Sequence, residues 1–360
     1  MKIIIAGAYA IGTYLAKLLS RNHYDITLMD TNEENLERLG RDYDLLTFEA
    51  SCTSIKALRE AGADTADLFI AVTPDESANL CACTMAKALG AKKTVAKVDN
   101  PEYIAPENQE FFNQMGVSSI IYPEILAARD IIKGLKMSWV RQRWDVHGGA
   151  LVMLGIKLRE SCTILNQPLR NISGPDDPYH VVAIKRGNET IIPGGNDELK
   201  VYDLVYFMTM RNYIPYIRKI VGKENYTDVK NVMIMGGGKT AVRAVQIMPE
   251  YMNAKILEKD FNRCEVLNEL FEEDTLVING DGRDLSLLTE EGIRNTQAFV
   301  ALTGNAETNI LACLTAKRMG VRKTVAMVEN MDYVSMAESL DIGTITNKKV
   351  IAASHIYQML

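Results

Sequence analysis

At 360 residues the chain is long enough for two or three domains, each with its own core. Its net charge of −6, with both signs interspersed, offers no basic face for nucleic-acid phosphates and sets a dedicated nucleic-acid role aside. The six cysteines include no C-x-x-C and no Cys/His spacing suited to zinc, which excludes a metal framework and points to a reduced, cytosolic chain.

The opening MKIIIAG reads as a strand rather than a signal sequence. No apolar run approaches the ~20 residues of a spanning helix, so any service to a membrane is expected to pass through a partner. Residues 2–6, apolar from Ile3 onward, run into Gly7, as in a parallel strand covered on both faces. Helical spacing of Ile11, Leu15, Leu18 and Leu19 follows, then an apolar strand over 25–29 that ends at Asp30. Strand, glycine turn, helix and strand make a β-α-β unit with a right-handed crossover. The alternation continues with helices over 33–41, 54–61 and 77–89 and strands over 45–48, 68–72 and 94–98. The fold class this predicts is α/β, a Rossmann-like doubly wound parallel sheet. An apolar helix over 125–132 closes the unit, and it either packs on its own sheet or crosses to a partner.

From 138 to 223 the pattern changes. Short strands over 150–158, 180–185, 189–192 and 203–208 are separated by turn chemistry at Gly174-Pro175, at Arg186-Gly187-Asn188 and at Pro193-Gly194-Gly195-Asn196. This predicts a small α+β lobe closed by a helix over 213–221. After a linker at 225–230 the first plan returns: a strand over 231–235, a helix from Lys239, a strand over 255–257, and a final apolar helix over 350–357. The expected domains are therefore 1–137, 138–225 and 226–360.

The return is a duplication. LFIAVTPDESANLCACTMAKALGAKKTVAKVDNPEY, residues 68–103, aligns without a gap on AFVALTGNAETNILACLTAKRMGVRKTVAMVENMDY, residues 298–333. Asn79 matches Asn309, Cys83 matches Cys313, and Lys87 matches Lys317. The paired cysteines read as small buried helix residues.

Gly236-Gly237-Gly238-Lys239-Thr240-Ala241 follows a strand and opens a helix, and Glu258 ends the next strand. That is the G-x-G-x-x-A form of the dinucleotide fingerprint, with the helix N-terminus aimed at a pyrophosphate and the acid at ribose hydroxyls. A phosphate-binding P-loop is rejected, because Met233 stands where its first glycine is required. The first copy reads Gly7-Ala8-Tyr9-Ala10-Ile11-Gly12 with Asp30 in the acidic position. Tyr9 fills the slot of the second glycine, where a side chain would block the pyrophosphate and a positive φ would cost about 1–2 kcal/mol. Lys97 on the fifth strand, opposite Met327 in the second copy, supplies a phosphate-pairing cation only where the glycine is missing. Both sites are expected to bind adenine nucleotides with different preference. Thr73 and Thr303 close the fourth strands at the carboxyl edge, and Asn79 and Asn309 cap or orient the turns that follow. Cys52 and Asp281 come after the third strands, near the adenine position. The histidines, His23, His147, His180 and His355, fall at unmatched positions, and no acid–base constellation emerges. Catalytic and metal-ligating residues are therefore expected to be absent.

These features, MKIIIAG with Gly12 and Asp30, AVTPDESAN from Ala71 and TVAKVDNPEY from Thr94, resemble the RCK (KTN) regulators of potassium transport. The chain is similar to the tandem, TrkA-like form of that family over essentially its whole length, and the middle segment resembles the family's C-terminal lobe. The resemblance implies NAD(H) or ATP/ADP contacts at Gly7, Ala8, Tyr9, Ala10, Ile11, Asp30, Thr73, Pro74 and Lys97. In the second copy it implies contacts at Gly236, Gly237, Gly238, Lys239, Thr240, Glu258, Thr303 and Gly304. It further implies a cytosolic regulator, self-associated as a dimer or tetramer, that gates a membrane potassium translocation subunit (TrkH-like). Tyr9 and Met327 depart from the family pattern, and the second C-terminal lobe that the resemblance implies is not expected within these residues, which stop at Leu360 directly after the second closing helix. The alternative is an NAD-dependent oxidoreductase, for which the sequence offers two cofactor folds but no substrate domain.

Overall fold

A computed structural model describes residues 1–174, 177–187, 189–271 and 275–360. Pro175 and Asn188, which belong to two of the expected turns, lie outside the described residues.

The first copy contains β1 (Lys2–Ala6), α1 (Ala10–Leu19), β2 (Asp25–Asp30), α2 (Glu33–Asp42), β3 (Leu46–Glu49) and α3 (Ile55–Glu60). It continues through β4 (Leu68–Ala71), α4 (Glu76–Leu89), β5 (Lys93–Lys97), α5 (Gln109–Gln114), β6 (Ser119–Ile121) and α6 (Pro123–Leu135). The strands pair in the order β3-β2-β1-β4-β5-β6, all parallel. Ile3, Ile4 and Ile5 are fully buried, which explains the unbroken apolar run: successive side chains face opposite layers of helices, and both layers are dry. Asp75 caps α4 by accepting from the N–H groups of Ser77 and Ala78.

The middle segment holds β7 (Gln142–Val146), β8 (Leu151–Lys157), β9 (Tyr179–Arg186), β10 (Glu189–Ile191), β11 (Leu204–Met210) and α7 (Ile214–Ile220). They form an antiparallel sheet in the order β10-β9-β11-β8-β7. Strand β7 was not expected from the sequence: QRWDV is polar at an edge, with no apolar alternation to announce it.

The second copy repeats the first with β12 (Asn231–Met235), α8 (Lys239–Gln246), β13 (Asn253–Glu258), α9 (Phe261–Phe271), β14 (Leu276–Asn279) and α10 (Leu285–Glu290). It ends with β15 (Ala298–Ala301), α11 (Ala306–Arg318), β16 (Lys323–Met327), α12 (Met331–Ser339), β17 (Thr344–Thr346) and α13 (Lys348–Tyr357). The order β14-β13-β12-β15-β16-β17 is again parallel throughout. Cys83 and Cys313 are fully buried, and their thiols approach the carbonyls of Val95 and Val325 at 3.4 Å in each case. Burial pushes the Cys313 thiol up to about 12, so these are inert packing residues.

The chain divides into two compact units, one of residues 1–127 with 347–360 and one of residues 128–346. In the first, Ala352, Ala353 and Ile356 of α13 join Ile11, Leu15 and Leu19 of α1 in one buried cluster. In the second, Ala128, Ile131, Ile132 and Leu135 of α6 join Val232, Ile234 and Ala241. Each copy's closing helix therefore contributes to the other copy's core. The crossing left open by the sequence is made inside this chain.

Candidate nucleotide-binding sites

At the carboxyl edge of the second parallel sheet the backbone turns out of β12 through Gly236, whose φ of +97° lies in the region L side chains rarely adopt. Its N–H donates to Leu257 O at 2.9 Å, and a Cβ there would meet Leu302 C and Thr303 N at 3.1 Å. The Gly237 N–H donates to Glu258 Oε2 at 2.7 Å, and the Asp260 N–H donates to Glu258 Oε1 at 2.9 Å. Both carboxylate oxygens are thus oriented by backbone donors. Each keeps a lone pair for a ribose hydroxyl. Arg263 Nε donates to Gly237 O at 2.8 Å and holds the turn from the other side. Gly238 is the N-cap of α8, with open space around its Cβ position, so the helix N-terminus is uncovered.

These groups face a cavity of about 530 Å³ lined by Gly236–Gly238, Glu258, Lys259, Asp281, Arg283, Thr303 and Gly304, among others. The volume is in the range of small-molecule sites. Arg283, in hydrogen bond with Asp281 at 2.6 Å, holds that carboxyl down at about 2. Lys239 is exposed at the helix start and Thr240 is buried. Thr303 is committed internally: its N–H and hydroxyl donate to Asn309 Oδ1 at 3.1 and 2.7 Å, while Asn309 Nδ2 donates to Thr303 O and Met327 O. Asn309 is accordingly a brace between two strand ends.

The first copy reproduces this frame. Gly7 has φ +113° and donates to Met29 O at 2.8 Å. Asp30 is buried and accepts from Ala8 N at 2.5 Å and Asn32 N at 2.9 Å. Asn79 ties Thr73, which precedes Pro74, to Lys97 O just as Asn309 does in the second copy. The expected strain at Tyr9 does not arise. Its φ is −90°, close to the −70° of Gly238, so neither copy needs a left-handed residue at that position. Tyr9 is 45% exposed, and Ala10 and Ile11 begin α1 behind it. Lys97 pairs with Asp99 at 3.0 Å and is 15% exposed. Cys52 is buried, with its thiol pushed up by burial.

Lys259, Arg263 and Arg283 did not stand out in the sequence. Strand register aligns them with Thr31, Asn35 and Thr53 in the first copy, so the second site is the more cationic. The signal was available: all three follow the carboxyl ends of β13 and β14, the edge where ligands of such sheets bind. Among the described residues no group of three or more His, Cys, Asp or Glu is arranged to hold a metal ion, and no helix is long and apolar enough to cross a membrane.

Comparison with known proteins agrees with this architecture. The TrkA-N domain matches residues 3–123 and 232–348, more than half of the chain. The Trk system potassium uptake protein TrkA of Haemophilus influenzae is 30% identical over 361 residues, covering 98% of this chain and 78% of that protein. Among solved structures, the GsuK channel bound to NAD superposes with a TM-score of 0.66 at 14% identity, covering 99% of this chain and 63% of that one. GsuK bound to ADP gives 0.59 at 12% identity, covering 99% and 68%. These two likenesses are of fold. With two TrkA-N domains in tandem and a near full-length match at this identity, the chain belongs to the TrkA family of Trk-system potassium uptake proteins.

Proposed function

We propose that this chain is the cytosolic, non-enzymatic regulatory subunit of a Trk-type potassium uptake system, and that it senses NAD(H) or ATP/ADP at the two glycine turns. Its output is the gating of a membrane potassium translocation subunit of the TrkH type, with self-association to a dimer or tetramer. Residues 1–137, 138–225 and 226–360 are taken as its three functional segments. The observation that carries the reading is the Gly237–Glu258 hydrogen bond beside the open N-terminus of α8, facing a cavity of about 530 Å³. Backbone donors and a helix dipole suit a pyrophosphate, and an oriented carboxylate suits a ribose. The likeness to GsuK, which is described bound to NAD and to ADP, supports the ligand class.

Gating requires that a nucleotide bind two arrangements of the subunit with different affinity, and a coupling of about 1–3 kcal/mol is typical. Potassium flux into vesicles holding the translocation subunit and this chain is the test. Flux is expected to differ between saturating ATP, ADP, NAD and NADH, and the difference is expected to vanish in the Asp30→Ala/Glu258→Ala chain. Equal flux under all four nucleotides would overturn the proposal.

A further inference from the structure

Within the unit of residues 128–346 a second cavity, of about 440 Å³, opens at the amino edge of the parallel sheet, opposite the edge that carries the glycine turn. One side is the start of β16 and β17 with Lys317, Arg322 and Lys323. The other is the antiparallel lobe, with Arg141, Lys157, Arg159 and Lys223. Among the described residues no acidic side chain lines it. Arg141, Arg159 and Lys317 converge on one carboxylate, Asp341, at 2.5, 2.7 and 3.1 Å. A single negative charge offsets one of those three.

Among the described residues Lys157, Lys223 and Arg322 have no carboxylate within ion-pair distance, and neither does Lys323, whose ammonium burial draws down to about 7. Lys223 is buried and donates to the Tyr226 hydroxyl at 2.9 Å. Arg322 donates to Asn225 O at 3.2 Å. Lys323 is 3% exposed and donates to Val140 O at 2.8 Å and Thr344 Oγ1 at 3.1 Å. Lys157 is half-buried. Like charges gathered in a concavity with low-dielectric walls focus the field and draw anions, and they are costly to leave uncompensated. A surface face of solvated lysines would point outward and spread apart, whereas these converge from two folding layers on one space.

We propose that this cavity binds a small anion carrying two or more phosphate groups, held jointly by the antiparallel lobe and the amino edge of the second parallel sheet. Two phosphates match two cationic walls, and the volume admits a diphosphate with room for an attached group. Occupancy clamps the lobe to the sheet. The inference does not rest on nucleotide binding at the glycine turns, because the two cavities share no residue.

The test is calorimetric titration of the Asp30→Ala/Glu258→Ala chain with inorganic pyrophosphate at matched ionic strength, with ADP in a second arm. Saturable binding of pyrophosphate is expected, weakened about tenfold for each side chain removed in Lys157→Gln and Arg322→Gln, two positions accessible enough to change without unfolding. ADP binding lost in the same variants would name a nucleotide as the source of the phosphates, and pyrophosphate binding without ADP binding would name the free diphosphate. Both outcomes support the site. No saturable binding, or binding that neither variant weakens while its unfolding temperature stays that of the parent, would overturn it.

Discussion

Glu258 and Asp30 each do two things at once, and that is why an acid, rather than any hydrogen-bonding residue, suits this position. Each accepts two backbone N–H groups and so fixes the turn that a ligand would meet. The glycines divide the work differently. Gly236→Ala forces a side chain into a left-handed backbone against Leu302 and Thr303, and is expected to destabilise the chain by about 1–2 kcal/mol. Gly238→Ala meets open space at φ −70°, so its unfolding free energy should stay within about 0.5 kcal/mol of the parent while nucleotide affinity falls. Urea unfolding and ligand titration on the two variants separate these effects. An equal stability loss in both would contradict the assignment.

Lys323 illustrates what the sequence hid. Its aligned partner Lys93 is exposed, yet Lys323 is buried among Val140, Arg141 and Thr344, and identical letters in matched strands gave no sign of it. Burial first, then Arg141, draws its ammonium down to about 7, against a weaker opposing pull from Asp130. The unfolded chain binds the proton up to about 10.5, so between those values it holds more protons than the folded chain and stability rises with pH. Below about 7 the cost of the buried charge is present in full. Lys323→Met is therefore expected to gain stability relative to the parent most at about pH 6 and least at about pH 10. A difference that is flat in pH would refute this.

At the scale of elements, the parallel sheets were legible because their strands are apolar on both faces and the glycine turns punctuate them. The edge strand β7 was not, nor were the three-residue edge strands β6 and β17, since neither a polar edge nor so short a run carries a period-2 signal. The closing helices were legible as apolar helices, but not their destinations. Nothing in ILAARDII or VIAASHIY distinguishes the core of one copy from that of the other, because the copies descend from one plan. In the folded chain Ile356 is fully buried beside Leu15 and Leu19, so Ile356→Ala is expected to cost about 2–5 kcal/mol. The loss should appear in hydrogen exchange of α1, some 340 residues earlier in sequence. Protection of α1 unchanged by the substitution would contradict the shared core.

For the whole molecule, duplication explains why the candidate sites were read in part. The glycine turns, Asp30, Glu258, Thr73 and Thr303 follow from strand-turn-helix spacing, and the structure brings them together at one sheet edge in each copy. Arg263, Lys259 and Arg283 come from segments where the copies differ, and a comparison built on likeness passes over them. Their presence in the second copy alone makes the two sites unequal in charge. The second site should therefore bind the more highly charged nucleotides in the tighter complex, with a steeper loss of affinity as salt rises.

We propose that the turn after β12 is a working nucleotide site. Its most direct test is calorimetric titration of NADH, NAD, ATP and ADP into the purified chain and into Glu258→Ala. Saturable binding of at least one nucleotide, weakened by the substitution, is expected; binding of equal strength to both chains, or to neither, would refute a working site at this turn.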